Sequence, residues 1–313
     1  MKRLVTLGVA AALALGIVAA AWAEPVTLEY KFIKGDVTKY NISCQVKAQL
    51  PNLPGMDRQE PMTFSMSMLE VMKVTDVYPD GSGRLKMWVG NIVMSAPGIS
   101  LPSSDKMPAT TMYMKMSKSG KLLGMEMPDL AAAIKKAGAR TSAPPVQMPD
   151  MSQMLGEMNQ TSALPEGPVE VGSCWQTPIP LPMGLGNMDM TSLLAGANEQ
   201  VAGGPAAKLT QNVKGSIDVS QAINAFASTF LSAFNQASGG KAANMQIPNI
   251  TGTLDITGTI NTFFSTQLGK LVGQDGAGTM TINVHLPSEI TKTGQAPADI
   301  KVVIDGSMKV TKV

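Results

Sequence analysis

The sequence predicts a mainly β protein: a curved antiparallel sheet, half-barrel or sandwich-like, in two related halves with a few flanking α-helices. Three observations predict it. "KYNISCQVKAQL" (39–50) puts Tyr40, Ile42, Cys44, Val46, Ala48 and Leu50 on one face and Asn41, Ser43, Gln45, Lys47 and Gln49 on the other. Period two over this length marks a strand with one dry and one wet face, as in an antiparallel rather than a parallel sheet. The same alternation recurs along the chain, and turn residues of defined chemistry separate the recurrences.

The first element is a leader rather than a strand. Lys2 and Arg3 precede an apolar stretch from Leu4 to Ala20, and Ala21 and Ala23 place small residues where a signal peptidase reads them. Residues 1–23 are therefore expected to be removed ahead of Glu24, which implies an exported protein, periplasmic or extracellular. A membrane anchor is the rival reading, but the run is short for a span and ends in a cleavage site. No Cys directly follows it to carry a lipid.

Residues 24–163 read as an N-terminal β half. In "MTFSMSM", Met62, Phe64, Met66 and Met68 oppose Thr63, Ser65 and Ser67, and a phase shift near Leu69–Glu70 predicts a β-bulge there. "VYPDGSGRLKMWV" reads as a hairpin turning at Pro79, Asp80 and Gly81, after which Leu85, Met87 and Val89 resume the apolar face. "TMYMKMSKSGKLLGMEMP" (111–128) reads as another, turning at Ser119–Gly120. "PDLAAAIKKAG" (128–138) and "PDMSQMLGEM" (149–158) carry helical spacing.

Residues 164–313 read as a C-terminal β half with an inserted helix at about 220–238. There Ile223, Phe226, Ala227, Phe230, Leu231 and Phe234 recur at three and four, Ser220 is the expected cap and Gly239 the stop. The polar face of this helix lacks Lys and Arg, so it is expected to pack on the sheet rather than lie on a membrane. Met280, Ile282, Val284 and Leu286 form a late strand face, and Met308, Val310 and Val313 close the chain. Stretches 96–109, 138–149 and 176–190 are rich in Pro, Gly and Ser and read as linkers; the second, with "LPEGP" (164–168), sets the boundary between halves. "KSGKLLG" (118–124) is echoed by "QLGKLVG" (267–273). Duplication would produce that echo, and so would two independent needs for Gly at a tight turn.

Charge excludes one class of partner. The chain has 25 Lys and Arg against 23 Asp and Glu, and two of the basic residues lie in the leader. A nucleic-acid binder needs a cationic surplus, and none remains. No second apolar run is long enough to span a membrane. Cys44 and Cys174 are the two cysteines. An oxidising compartment permits a disulfide between them, and two separate thiols are the alternative.

Several phrases in order carry a resemblance. "LEYKFIKGDVTKYNI", "VTDVYPDGSGRLKMWV", "LPEGPVEVGSCWQTPI" and "FFSTQLGKLVGQDGAGTMTINV" together resemble an uncharacterised (domain-of-unknown-function) family of secreted bacterial β-rich proteins. The match spans most of residues 26–285. The resemblance implies a β-rich fold and an exported setting. It brings no activity, cofactor or catalytic residue, and the family pattern has a small polar residue where Cys174 stands.

Methionine occurs 24 times, and it frames the functional question. Thioethers suit Cu(I), a soft ion, so Met112, Met114, Met116, Met151 and Met154 are candidate ligands for a periplasmic or secreted Cu(I) protein. Against that, i and i+2 share a strand face, and other strands fill the same positions with Ile, Val and Leu. Met62, Met66, Met68, Met112, Met114 and Met116 are then an adaptable apolar lining. Such a surface suits a lipid-like ligand or a protein partner. For an enzyme, His285 is the one histidine and falls on the polar side of its strand. There is no G-x-S-x-G, H-E-x-x-H, C-x-x-C or P-loop pattern. The expectation is a non-catalytic envelope protein without a cofactor that binds an apolar ligand or partner on its Met-lined sheet face.

Overall fold

The computed structural model describes residues 24–49, 60–95, 110–128, 164–180, 187–202, 204–225, 228, 250–287 and 298–313. The expected helices at 128–138 and 149–158 fall outside these residues, apart from Pro128. The leader, Met151 and Met154 also lie outside them.

Two short strands, β1 (Val26–Thr27) and β7 (Pro168–Val169), pair with each other. The remaining eleven strands among the described residues form one open antiparallel sheet. Its first meander is β2 (Val37–Gln49), β3 (Met62–Val77), β4 (Gly83–Ser95), β5 (Thr110–Met116) and β6 (Leu122–Glu126). Its second is β8 (Cys174–Pro180), β9 (Asn187–Val201), β10 (Gly204–Asp218), β11 (Thr251–Ser265), β12 (Lys270–His285) and β13 (Asp299–Lys312). β13 pairs with β2 and joins the meanders, so β6 and β8 are the two edges among the described residues. Among the described residues no helix is long and apolar enough to cross a membrane.

Antiparallel order separates short turns from long connections. The turns after β3, β5, β9 and β11 all lie at one end of the sheet, here the turn end. The chain leaves β2, β4, β6, β8, β10 and β12 at the other end. At the turn after β3, the Asp80 carboxylate accepts the N–H and the hydroxyl of Ser82 at 2.9 and 2.6 Å and Gly81 takes φ +78°. These bonds hold the Asp80 carboxyl below the usual carboxylate range.

The turn end is closed by the segment 28–33, which crosses it as a strap. The Tyr30 N–H donates to Lys118 O at 2.7 Å, and the next N–H, of Lys31, donates to Gly269 O at 3.1 Å. Five strand spacings separate β5 from β12, about 24 Å in a flat sheet. Adjacent residues reach both turns only because the sheet curls toward its apolar face at this end. The core sits under the strap: Leu28, Leu164, Leu194, Ala207, Leu209 and Phe264 are buried together, with Tyr30 and Trp175 against them. Tyr30 meets Phe264 edge to face at 5.1 Å and stacks on Phe32 at 5.9 Å. Each fully buried Leu or Phe contributes about 1.5–3 kcal/mol, and burial raises the Tyr30 phenol to about 12.

Three sequence expectations are corrected here, and one open alternative is decided. Part of the 176–190 linker is strand: Gln176–Pro180 lies in β8 and Asn187–Met190 opens β9. Pro178 and Pro180 fit because β8 is an edge, where a missing N–H need not break a ladder. The bulge near Leu69–Glu70 belongs to β4, not β3. β3 keeps unbroken register with β2, whereas Ser67 faces Val93 and Leu69 faces Gly90, and the extra residue is taken up around Asn91 at φ +50°. The helix is capped by Asp218, whose Oδ1 accepts the Ser220 N–H at 2.8 Å, rather than by Ser220. Residues 220–225 are helical, and beyond them only Ser228 of the expected helix is described. The cysteines are two free thiols. Cys44 lies on β2 and Cys174 on β8, with five strands between them.

A candidate apolar groove

One face of the sheet carries Tyr40, Ile42, Cys44, Val46 and Ala48 of β2 and the residues in register with them. Near the strap this face is buried. Beyond it, toward the end where the long connections leave, Ile256, Ile260, Met280, Ile304 and Met308 are half-buried.

Across this half-buried region runs a row of glycines. Gly306 on β13 is the register partner of Gly278 on β12, and Gly278 is the partner of Gly258 on β11. Val46 on β2 extends the row at one end and Val213 on β10 at the other. The rows on either side carry longer side chains: Met308 and Ile260 toward the strap, with Gly276 between them, and Ile304, Met280 and Ile256 away from it. Three missing side chains between two apolar walls make a groove of about 430 Å³ that crosses the strands. From Val46 to Val213 it spans four strand spacings, about 19 Å. Its lining holds no ionisable side chain.

The glycines differ in what a side chain would meet. A Cβ on Gly278 would lie 2.7 Å from Thr257 O and 3.1 Å from the Gly258 Cα, so the backbone itself requires glycine there. A Cβ on Gly306 meets nothing within 4 Å and projects into open groove.

A hydrogen-bonded polar chain separates the groove from the strap core. Gln274 Nε2 donates to Thr262 Oγ1 at 3.2 Å, Thr262 Oγ1 to Gln211 Oε1 at 3.2 Å, and Gln211 Nε2 to Ser192 Oγ at 3.4 Å. Gln211 and Ser192 are 4% and 0% exposed, so these bonds replace water rather than supplement it. Beside Ser192, the Trp175 indole N–H is buried without a partner among the described residues. Nearer the turn end on β3, Glu70 faces Tyr40 on the apolar side, and burial raises its carboxyl above the usual range. The Tyr40 hydroxyl donates to Leu271 O at 3.0 Å.

A larger depression, about 710 Å³, lies on the opposite face. Ser43, Gln45, Ser65, Asn261, Asp275 and Lys309 are among its lining, so unlike the groove it carries ionisable side chains.

The described methionines among the sequence-derived site residues fall on the groove's face but do not line it. Met62, Met66 and Met68 lie on β3 opposite Ala48, Cys44 and Ile42. Met112, Met114 and Met116 lie on β5 opposite Met87, Leu85 and Gly83, and Met114 also faces Met125 on β6. His285 is exposed, with Nδ1 2.8 Å from Asp299 Oδ1. Among the described residues no group of three or more His, Cys, Asp or Glu is placed to hold a metal ion. The groove was missed because its floor has no side chains. The available signal was glycine at apolar-phase positions of a strand, as in "DGAGTMTI", where a ligand or a second backbone comes close.

No family model matches the chain, and no curated protein matches it. Among solved structures it is similar to a structure of lipid–protein interactions in lipovitellin, with 10% identity and a TM-score of 0.43, over 90% of this chain and 25% of that one. It is also similar to DynF from the dynemicin biosynthesis pathway of Micromonospora chersina, with 8% identity and a TM-score of 0.21, over 91% of this chain and 84% of that one. The chain spans about a quarter of the length of the lipovitellin chain. At these scores neither likeness bears on function.

Proposed function

We propose that this is an exported, non-catalytic envelope protein that holds an elongated apolar ligand, the acyl chain of a lipid, in the groove floored by Gly258, Gly278 and Gly306. The carrying observation is the groove itself: an apolar channel across five strands, half-open, with no ionisable group in its lining. Each methylene moved from water into such a channel contributes about 0.8 kcal/mol, so a chain that fills it binds without any polar anchor. The methionines of the same face act as the adaptable apolar surround, because their unbranched side chains fit irregular partners.

Native mass spectrometry of the chain, purified from its own exported compartment, tests the reading. The expected result is a mass excess that disappears on organic extraction, and its loss in Gly306→Leu with an unchanged circular dichroism spectrum. Replacing Met112, Met114 and Met116 with Leu conserves volume and is expected to leave binding intact. The reading fails if Gly306→Leu carries the same excess. It also fails if the wild type is bare and takes up no fluorescent fatty acid.

A further inference from the structure

Beside the groove, register places four sulfur side chains in one row. Cys44 on β2 lies directly across from Met66 on β3 and from Met308 on β13, and Met66 lies across from Met94 on β4. All four are half-buried on the apolar face. We propose that Cys44, Met66 and Met308 form a binding site for Cu(I), with Met94 within reach as a further donor. Side chains directly opposite in an antiparallel pair have Cβ atoms about 4.5–5.5 Å apart. Metal–thiolate bonds are about 2.3 Å long, and methionine turns freely about its side-chain bonds. Two thioethers flanking one thiol can therefore converge on a single ion from either side.

The donor chemistry selects the ion. Thiolate and thioether are soft ligands and favour Cu(I) over harder divalent ions. The thiolate is the ligand, so binding replaces the Cys44 thiol proton with the metal and releases that proton to solvent. No electron is transferred and copper stays Cu(I). The β5 methionines are the weaker candidate. Met112, Met114 and Met116 follow one another along a strand about 6.8 Å apart, and their register partners Met87, Leu85 and Gly83 add no thiolate.

The test is an oxygen-free titration of the full chain with Cu(I) against a chromogenic chelator, with X-ray absorption on the loaded protein. One Cu(I) per chain, a shell of sulfur alone and a near-ultraviolet thiolate-to-copper band are expected. Cys44→Ser is expected to abolish retention, and Met66→Leu with Met308→Leu to weaken it by at least about tenfold. Cys174→Ser and the triple Leu variant of Met112, Met114 and Met116 are expected to bind as the wild type does. Urea unfolding of each variant shows whether it is folded, and Cys44→Ser tests the site even if the double variant is not. The proposal is overturned if the wild type yields all its Cu(I) to the chelator. It is equally overturned if Cys44→Ser binds like the wild type or if the triple variant is the one that loses the metal.

Discussion

Tyr30 donates its backbone N–H to the Lys118 carbonyl at 2.7 Å, and this bond ties the β5–β6 hairpin to a strap whose next residue holds the β11–β12 hairpin. The two turns are the two copies of the short Gly-Lys echo. Whatever the origin of that echo, both copies do one job: each offers a carbonyl to the strap at a point where a side chain would obstruct it. A Cβ on Gly120 would lie 2.9 Å from the Tyr30 ring. A Cβ on Gly269 would lie 2.5 Å from the Lys31 nitrogen.

Gly269→Val is therefore expected to be costly. Gly269 takes φ +59°, which a β-branched residue resists, and the new side chain would push the strap off the turn. Strain and overpacking together suggest a loss of about 2–4 kcal/mol. Urea midpoints at unchanged slope measure it. A loss below about 0.5 kcal/mol, the level of a surface change, would mean that the strap does not hold the turn end together.

The groove floor gives a contrast within one row. Gly278→Ala would strike the Thr257 carbonyl at 2.7 Å and is expected to cost about 1–3 kcal/mol, because backbone must move. Gly306→Ala has open space and is expected to fall within about 0.5 kcal/mol of the wild type. Equal effects at the two positions would contradict the geometry of the floor.

Gln211 is an inner member of the four-residue polar chain, bonded on its two sides to Thr262 and Ser192. Gln211→Leu is expected to cost about 1–3 kcal/mol. Leu supplies apolar volume but strands Ser192, which is fully buried, and one bond of Thr262. Adding Ser192→Ala to that variant is expected to recover part of the loss, since the stranded hydroxyl is then gone. Urea unfolding of both variants checks the pair.

Sequence reading went as far as local periodicity carries. β2, the hairpin after β3 and the face of Met280, Ile282 and Val284 were legible because each is a run of alternating residues or a turn with its own chemistry. β8 was not, because Pro178 and Pro180 mark a linker unless the strand is known to be an edge. Leu69 and Glu70 read as a phase shift because they invert the alternation of Met62, Phe64, Met66 and Met68. In the structure Glu70 stays in register opposite Tyr40, and the irregularity moves to β4. The groove and the sulfur row were out of reach for a different reason. Gly258, Gly278 and Gly306, or Cys44, Met66 and Met308, become neighbours only through strand pairing, and period two specifies a face without specifying register.

The two thiols are expected to differ in reactivity. Cys174 is exposed on the edge strand and Cys44 is half-buried on the apolar face. In the folded, metal-free chain a maleimide should label Cys174 first, and both cysteines should react in urea without a reductant. An intramolecular disulfide in the peptide map of the unreduced protein would contradict the separation of β2 and β8.

Glu70 makes stability depend on pH with a definite sign. Burial disfavours its charged form, so its pKa is higher folded than unfolded. Such a group contributes fully below the unfolded value, about 4.3, and that contribution is lost as pH rises through the folded value. Glu70→Gln keeps the shape and removes the charge. The variant is therefore expected to be more stable than the wild type at pH 7, with the advantage shrinking as pH falls toward 4. The remaining carboxylates titrate in both chains, so the difference between their urea midpoints isolates this residue. A constant difference from pH 4 to pH 7 would mean that ionisation of Glu70 is not what the apolar face opposes. A variant less stable at pH 7 would mean that the carboxylate is held by a favourable partner stronger than its burial.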